Sequence, residues 1–187
     1  MYTAYPTFQD IKHYLGISNY ADDALLVAMS KSSVEIFENM CGRSFLGDTG
    51  VRYASADSRD VIRWNKLHLR EEFLAITALE IDGVAVDTSE FYTDGDSVHL
   101  INDSSRSFRE YTNDPHNTIK LTGNWGYMGY VPDDVFWAIV RLAAFLYLQK
   151  DNTQDLTRPV AVANAGEIPA ALPADVSAVA DYYRRLV

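Results

Sequence analysis

Cysteine is almost missing from this chain of 187 residues, and long apolar runs are missing altogether. The single Cys41 cannot form a disulfide within the chain, so buried apolar side chains must hold the fold together. The most apolar stretch, residues 135–148, is shorter than the ~20 residues that a bilayer-spanning helix needs. The first ten residues contain no basic segment followed by an apolar one, which predicts that there is no signal peptide.

Positive charge is also scarce, with 16 lysines and arginines against 26 aspartates and glutamates and a formal net charge of -10. Residues 80–114 hold nine acidic residues and two basic ones. This segment is either a solvated β surface or an acidic surface that a polyanion passes without sticking. Tight DNA binding needs clustered lysine and arginine and is therefore disfavoured. The richest basic region, residues 43–70, is interleaved with acids, so we interpret it first as surface and second as a partner contact.

Patterns that carry catalysis or metal binding are missing as well. The histidines His13, His68, His99 and His116 lack the spacing of metal ligands. No Gly-rich loop continues into the Lys-Ser/Thr of a phosphate site, and there is no Gly-x-Ser-x-Gly elbow for a serine nucleophile. We therefore expect no enzymatic activity, no metal and no cofactor.

Local signals predict an α+β fold in which a three-helix bundle carries an inserted, mainly antiparallel β module. The helices are expected at about residues 7–15, 21–41 and 132–149. Thr7 and Asp10 are typical of a helix start, and Pro132 suits the first helical position because no hydrogen-bond donor is needed there. The β insertion is expected at about residues 50–122. Asp82-Gly83 and Asp94-Gly95 within it are typical of two-residue hairpin turns.

The sequence predicts an extended arm at the end of the chain. A core of residues 1–150 is followed by an Ala/Pro-rich linker, residues 151–172, and by a short helix, residues 173–187. This helix either packs back on its own domain or docks elsewhere. Docking is favoured by residue types that often anchor interfaces. These candidate docking residues are Tyr182, Tyr183, Arg184, Arg185 and Leu186.

Residues 118–150, TIKLTGNWGYMGYVPDDVFWAIVRLAAFLYLQK, combine a short strand, a Gly- and aromatic-rich turn, and an Ala/Leu-rich helix opened by Val-Pro-Asp-Asp-Val. This order resembles the head–tail connector (adaptor) proteins of tailed bacteriophages, the gp6-like group. FQDIKHYLG at residues 8–16 and DDALLVAMSKSSVEIFENMCGRSF at residues 22–45 are similar to the first two helices of that family. The resemblance covers residues 5–150.

The resemblance implies a structural virion protein at the head–tail junction, the neck, made in the host cytoplasm and without membrane contact. It implies a homo-oligomeric ring of twelve copies below the portal protein. Such a ring extends the DNA channel without sequence-specific binding and docks the tail or a head-completion (stopper) protein. The C-terminal segment of the family often reaches the portal, which makes residues 173–187 the expected portal-docking arm.

Two alternatives remain open, another neck or tail-completion protein and a glycan- or nucleic-acid-binding module built on the aromatic turn. Two further groups of candidate residues accompany the connector interpretation. A subunit interface or internal packing is expected at Trp125, Tyr127, Tyr130, Trp137, Ile139 and Leu142. An acidic surface facing the channel is expected at Asp82, Asp87, Asp94 and Asp96.

Overall fold

The computed structural model describes residues 1–149 and 172–185 and shows an α+β chain with four helices and two antiparallel sheets. The α+β class predicted from the sequence is confirmed. The chain forms two compact units. The helical unit contains Met1–Leu46 and Tyr130–Val187, and the β unit contains Gly47–Gly129.

The helical unit contains α1 (Phe8–Leu15), α2 (Asp23–Cys41), α3 (Asp133–Leu148) and α4 (Ala174–Tyr182). α1 begins after Thr7 because the Asp10 carboxylate accepts hydrogen bonds from the backbone nitrogen and the hydroxyl of Thr7, at 2.7 and 2.6 Å. It ends at Gly16, whose left-handed φ of 68° costs glycine no strain.

The core of the helical unit is built around α3, which packs against α1, α2 and α4 and has ten buried residues among its sixteen. The turn between α1 and α2 is fixed by Lys12, which is buried. Its ammonium lies 2.6 Å from the carboxylate of Asp23 and donates to the carbonyl oxygen of Asn19 at 2.7 Å. A buried charge is tolerated only when it is paired in this way.

The β unit consists of two four-stranded antiparallel sheets. The first sheet has the order β1 (Thr49–Ala54), β8 (Ile119–Trp125), β4 (Phe73–Ile81) and β5 (Val84–Val86). The second has the order β2 (Val61–Arg63), β3 (Lys66–His68), β7 (Ser97–Leu100) and β6 (Phe91–Asp94). Both sheets contribute to one apolar core, which Phe108 joins from the long loop before β8.

Turn chemistry explains two hairpins of the β unit. Asp82 and Gly83, between β4 and β5, have φ values of 51° and 75°, which a type I′ turn requires. The second turn lies one residue later than its sequence signal, because Asp94 pairs with Ser97 and the central residues are therefore 95 and 96. This register places Val98 on the buried face of the sheet, and a shift of one residue would expose it.

The last helix, α4, lies against its own helical unit. Val176 and Ala180 are fully buried, and the backbone N–H of Arg185 donates to the carbonyl oxygen of Cys41 at 2.7 Å. Of the two placements left open by the sequence, residues 172–185 therefore show the packed one. The apolar stripe of α4 is covered by α2 and α3 instead of facing solvent. Residues 150–171, which include most of the expected linker, lie outside the described residues.

Candidate assembly surfaces

The aromatic turn after β8 is anchored by Trp125, which is 1% exposed. Its indole N–H donates to the carbonyl oxygen of Gly50 at 3.0 Å, and its ring meets Phe73 edge-on with 6.2 Å between centroids. The guanidinium of Arg52 lies 5.1 Å from the centroid of the indole. Trp125 is thus a packing residue of the β unit, because none of its ring face is left for a ligand.

The third helix presents one large aromatic side chain outward. Ile139 and Leu142 are fully buried, whereas Trp137 is 45% exposed. The Trp137 ring lies 6.4 Å from that of Tyr14 on α1, which is also half-exposed. These two rings, the Tyr14–Trp137 pair, form an aromatic surface on the helical unit. Tyr127 and Tyr130, the other members of the expected interface group, are half-buried.

The candidate docking residues at the end of the chain differ in exposure. Tyr182 is 80% exposed. Tyr183 is half-buried, and its ring meets Phe45 edge-on at 5.4 Å between centroids. Arg184 is exposed and pairs with Asp181 at 2.7 Å. Leu186 lies outside the described residues.

The four candidate acidic residues do not form one surface. Asp82 lies in the turn after β4, whereas Asp96 lies beside Phe73 at the start of that strand. The nine residues of β4 separate these positions by roughly 26 Å at the usual strand rise. Asp87 follows β5 and is level with Ala78, between these two positions, and Asp94 precedes the turn that holds Asp96. The four residues are therefore spread over the length of β4.

Local partners keep two of these carboxylates ionised. The backbone N–H of Ser89 donates to Asp87 at 2.8 Å, and the hydrogen bonds from Ser89 lower the pKa of Asp87. Burial alone would raise the pKa of Asp96, but the hydrogen bond from Ser97 and the charge of His68, 3.2 Å away, outweigh burial and lower it. Asp87 and Asp96 consequently carry negative charge at neutral pH.

A group of cations that the sequence analysis did not single out lies at the β2 edge of the second sheet. Arg63 on β2 pairs across the strands with Lys66 on β3, and Lys66 pairs with His99 on β7. Cross-strand partners share a face, so these side chains form a row on the outward face. Arg109 donates to a β2 carbonyl oxygen at 3.3 Å, which places its guanidinium along the same edge. The sequence shows that these residues are cationic, but no local signal predicts the tight turn that aligns Arg63 with Lys66.

A cavity of about 320 Å³ in the β unit has charged walls that are compensated locally. Arg52 pairs with Glu71 at 2.6 Å, and Arg70 pairs with Asp60 at 2.9 Å. This compensation does not favour an ionic ligand. Across residues 1–149 and 172–185, no three His, Cys, Asp or Glu side chains are grouped to hold a metal ion. No helix within those ranges has the length and apolarity to cross a membrane.

Several solved chains share this fold, among them the following two. One is a chain in the neck of an empty gene transfer agent (GTA) particle, computed with C6 symmetry, with a TM-score of 0.65 and 14% identity over 99% of this chain and 92% of that chain. The other is a chain in the virion of a native GTA particle, with a TM-score of 0.61 and 15% identity over 98% and 93% of the two chains. No protein-family model and no curated protein matches the sequence. At these identities, the similarity establishes a common fold.

Proposed function

We propose that this protein is a structural component of the neck of a tailed-bacteriophage-like particle, namely a head–tail connector that forms a ring below the portal. The observation that carries the proposal is the fold shared, over nearly the whole of both chains, with a chain from a GTA neck. The motif order in residues 5–150 supports the same class and is independent of the structure. The C6 symmetry of the GTA neck supports a ring, and the connector family implies twelve copies.

A closed ring requires two different surfaces on each copy, because one patch meets a different patch on the next copy. The Tyr14–Trp137 pair has suitable chemistry for one contact within the neck, since exposed aromatic side chains are enriched at protein interfaces. Ile139 and Leu142 support this surface from inside by fixing α3 within the helical unit. In this proposal the ring extends the DNA channel and offers a docking surface to the tail or to a head-completion protein.

Portal docking is assigned to α4. Its exposed Tyr182 and Arg184 are of the types that anchor interfaces. Deletion of residues 173–187 should leave a folded chain that no longer joins capsids. Normal joining by this truncated chain would place the docking surface elsewhere.

The acidic residues Asp82 and Asp87 are assigned to the border of the channel. A surface of the same charge sign as phosphate does not hold DNA, so DNA passes without sequence-specific binding. This role is consistent with the net charge of the chain and needs no catalytic group, metal or cofactor.

Electron microscopy of complexes purified from the native source with a tagged copy of this chain tests the proposal. End-on rings with a central hole, stacked on a larger ring, are expected, and counting their subunits gives the symmetry. Isolated small particles without a second ring would contradict the connector role. Rings attached to a tail end instead of a portal would indicate the alternative of a tail-completion protein.

The binding-module alternative loses its main support. A glycan or base would need the face of Trp125 for stacking, and that ring is buried between Phe73 and Arg52. A change in Trp125 fluorescence on addition of an oligosaccharide or oligonucleotide would reopen this alternative.

A further inference from the structure

A ring built from this chain faces an electrostatic problem, and the inference that follows rests on the proposed ring. Each copy has a formal net charge of -10, so neighbouring copies repel one another at long range. Assembly is favoured if surfaces of opposite charge meet at each junction, because this contact offsets the general repulsion and sets the register. The question is which surfaces of the chain supply these charges.

Seven of the fourteen lysines and arginines among the described residues form an ion pair with a nearby carboxylate. The ion pairs are Lys12–Asp23, Arg52–Glu71, Arg70–Asp60, Arg106–Glu110, Lys120–Glu80, Arg141–Asp175 and Arg184–Asp181. By contrast, no carboxylate of the described residues forms an ion pair with Arg63, Lys66 or Arg109. Arg63 and Arg109 lie at β2, which is one free edge of the second sheet, and Lys66 lies on the adjacent strand β3. These three residues are called the cationic edge.

The other free edge of the same sheet, β6, carries the opposite charge. Tyr92 pairs across the strands with His99, and their rings stack with 5.0 Å between centroids. Asp94 lies two residues after Tyr92 on β6 and shares its outward face, whereas Glu90 ends the 3-10 turn before β6 and its carboxylate accepts a hydrogen bond from Ser104 at 2.7 Å. Asp94 is exposed, and within residues 1–149 and 172–185 it forms no ion pair. Glu90 and Asp94 form the acidic edge.

We propose that the cationic edge of one copy contacts the acidic edge of the next copy around the ring. The two edges lie three strand spacings apart, roughly 14 Å, on opposite sides of one sheet. The contact is therefore heterologous, as a closed ring requires. Arg63 and Lys66 are level with Tyr92 in the sheet register, so they stand opposite the gap between Glu90 and Asp94 when copies lie side by side.

The contact is made by side chains and does not extend the sheet from copy to copy. Two carbonyl oxygens at the β2 edge already accept hydrogen bonds. That of Val61 accepts from the guanidinium of Arg109, and that of Trp64 accepts from the backbone N–H of Phe108 at 2.8 Å. These bonds cover part of the edge that an incoming strand would need. Ion pairs between exposed side chains make the junction sensitive to salt.

A second copy fits the cationic edge better than DNA does. A phosphate backbone that follows the outward face from Arg63 and Lys66 reaches Asp94 and Glu90 at the far side, where it is repelled. Tight binding to DNA requires several cations along the backbone path. A second copy, in contrast, brings only the carboxylates of its acidic edge to the cationic edge, so no long path of cations is required.

Charge reversal on single edges tests the proposal. Lys66→Glu places a carboxylate against Asp94 of the next copy, and Asp94→Lys places an ammonium group against Lys66 of the next copy, so each variant alone should form fewer rings. An equimolar mixture of the two variants should form rings again, because every junction can then join a cation to a carboxylate. Lys31→Glu and Glu35→Lys are matched controls, since they change the net charge equally at exposed positions of α2, outside the β unit.

The full chain is examined by sedimentation velocity and electron microscopy at low ionic strength, alone and in neck complexes purified from the native source. Undiminished rings from Lys66→Glu alone, or no recovery in the mixture, would overturn the proposal. Unchanged rings combined with weaker retention of duplex DNA by Lys66→Glu would show that the edge meets a polyanion instead. If wild-type copies instead form open chains that the two charge reversals disrupt in the same way, this result would support the edge contact and contradict the closed ring. Wild-type copies that remain monomeric in the purified complexes would contradict the edge contact and the ring together.

Discussion

Two residues of α3 that stand close in sequence have opposite surroundings. Ile139 is fully buried, and Trp137 is 45% exposed on the same helix. Ile139→Asp would place an unpaired charge in an apolar core, and the cost of desolvation should unfold or strongly destabilise the helical unit by several kcal/mol. Ile139→Val should cost only about 1 kcal/mol, because one methyl group is removed. Urea denaturation followed by circular dichroism measures both effects.

The matched control for Ile139→Asp is Trp137→Asp, which introduces the same charge at the exposed position. It should change the free energy of unfolding much less, while weakening any assembly that uses the Tyr14–Trp137 pair. Equal destabilisation by both aspartates would mean that α3 is buried on every side. A wild-type denaturation midpoint for Ile139→Asp would mean that the face at Ile139 is open to solvent.

Tyr5 gives the helical unit a dependence on alkaline pH. Its hydroxyl donates to the Glu38 carboxylate and accepts hydrogen bonds from the backbone N–H groups of Phe45 and Leu46, at 3.0 and 3.1 Å. Burial, and then Glu38, raise the pKa of Tyr5 from 10.0 to about 12. Because the pKa is higher in the folded state, its contribution to stability is complete below pH 10 and is lost as the pH rises towards 12.

Tyr5→Phe removes this titration together with the hydrogen bonds. We expect the variant to be less stable than the wild type at neutral pH, with a difference that narrows as the pH rises from 10 to 12. The comparison is made in a Cys41→Ala background, because burial also raises the pKa of Cys41, to about 12, with the same sign of effect. A difference in denaturation midpoint that stays constant over this range would contradict the assignment.

At the scale of the element, α4 covers the one cysteine of the chain. Cys41 is fully buried, its sulfur lies 3.7 Å from the carbonyl oxygen of Ala180, and its own carbonyl oxygen accepts from Arg185. Burial raises its pKa, so little thiolate is present at neutral pH. Deletion of residues 173–187 should increase the rate of Cys41 labelling by a thiol reagent by at least about tenfold while the other helices remain folded.

The same labelling reports on the proposed docking of α4. If α4 leaves the helical unit to bind the portal, Cys41 in assembled necks should react faster than in the free chain. Val176→Asp, which should undock α4 without shortening the chain, serves as the positive control. Labelling that is equally slow in the free chain, the deletion and the assembled neck would show that α4 does not protect Cys41.

Elements with local signals could be predicted, whereas pairings over long distances could not. The start of α1 depends on Thr7 and Asp10, and the first hairpin depends on Asp82 and Gly83, so neighbouring residues carry the information. The pairing of β1 with β8 joins residues 49–54 to residues 119–124, and no short motif specifies it. The turn at residues 94–97 shows the intermediate case, because Asp-Gly-Asp permits two registers and only the burial of Val98 decides between them.

At the scale of the whole molecule, the sequence identified charged and aromatic residues but could not group them. Trp125 and Trp137 belonged to one candidate interface, yet one lies on the inner face of a strand and the other on the outer side of a helix. The acidic residues between positions 82 and 96 are close in the chain, but the fold spreads them over the length of β4. The cationic edge depends on a turn that aligns Arg63 with Lys66, so composition alone gave no indication of it.

The channel assignment of Asp82 and Asp87 is tested by removing their charges. Asp82→Asn combined with Asp87→Asn neutralises both carboxylates and leaves those of Glu90 and Asp94 in place. Asparagine tolerates the positive φ of Asp82 and keeps the ability to cap the turn at Asp87, so the fold should persist. If these two residues border the channel, the variant should hold phosphates more strongly, and particles carrying it should release DNA more slowly.

Release of DNA from purified particles, followed with a dye excluded from intact capsids, measures this effect. Glu35→Gln combined with Asp57→Asn is the matched control, because it changes the net charge equally at exposed positions elsewhere in the chain. The effect should weaken as salt screens the phosphates. Equal release rates for the variant, the control and the wild type would show that Asp82 and Asp87 do not border the channel. The proposal of ring formation would not be affected, since the ring junction depends on Glu90 and Asp94.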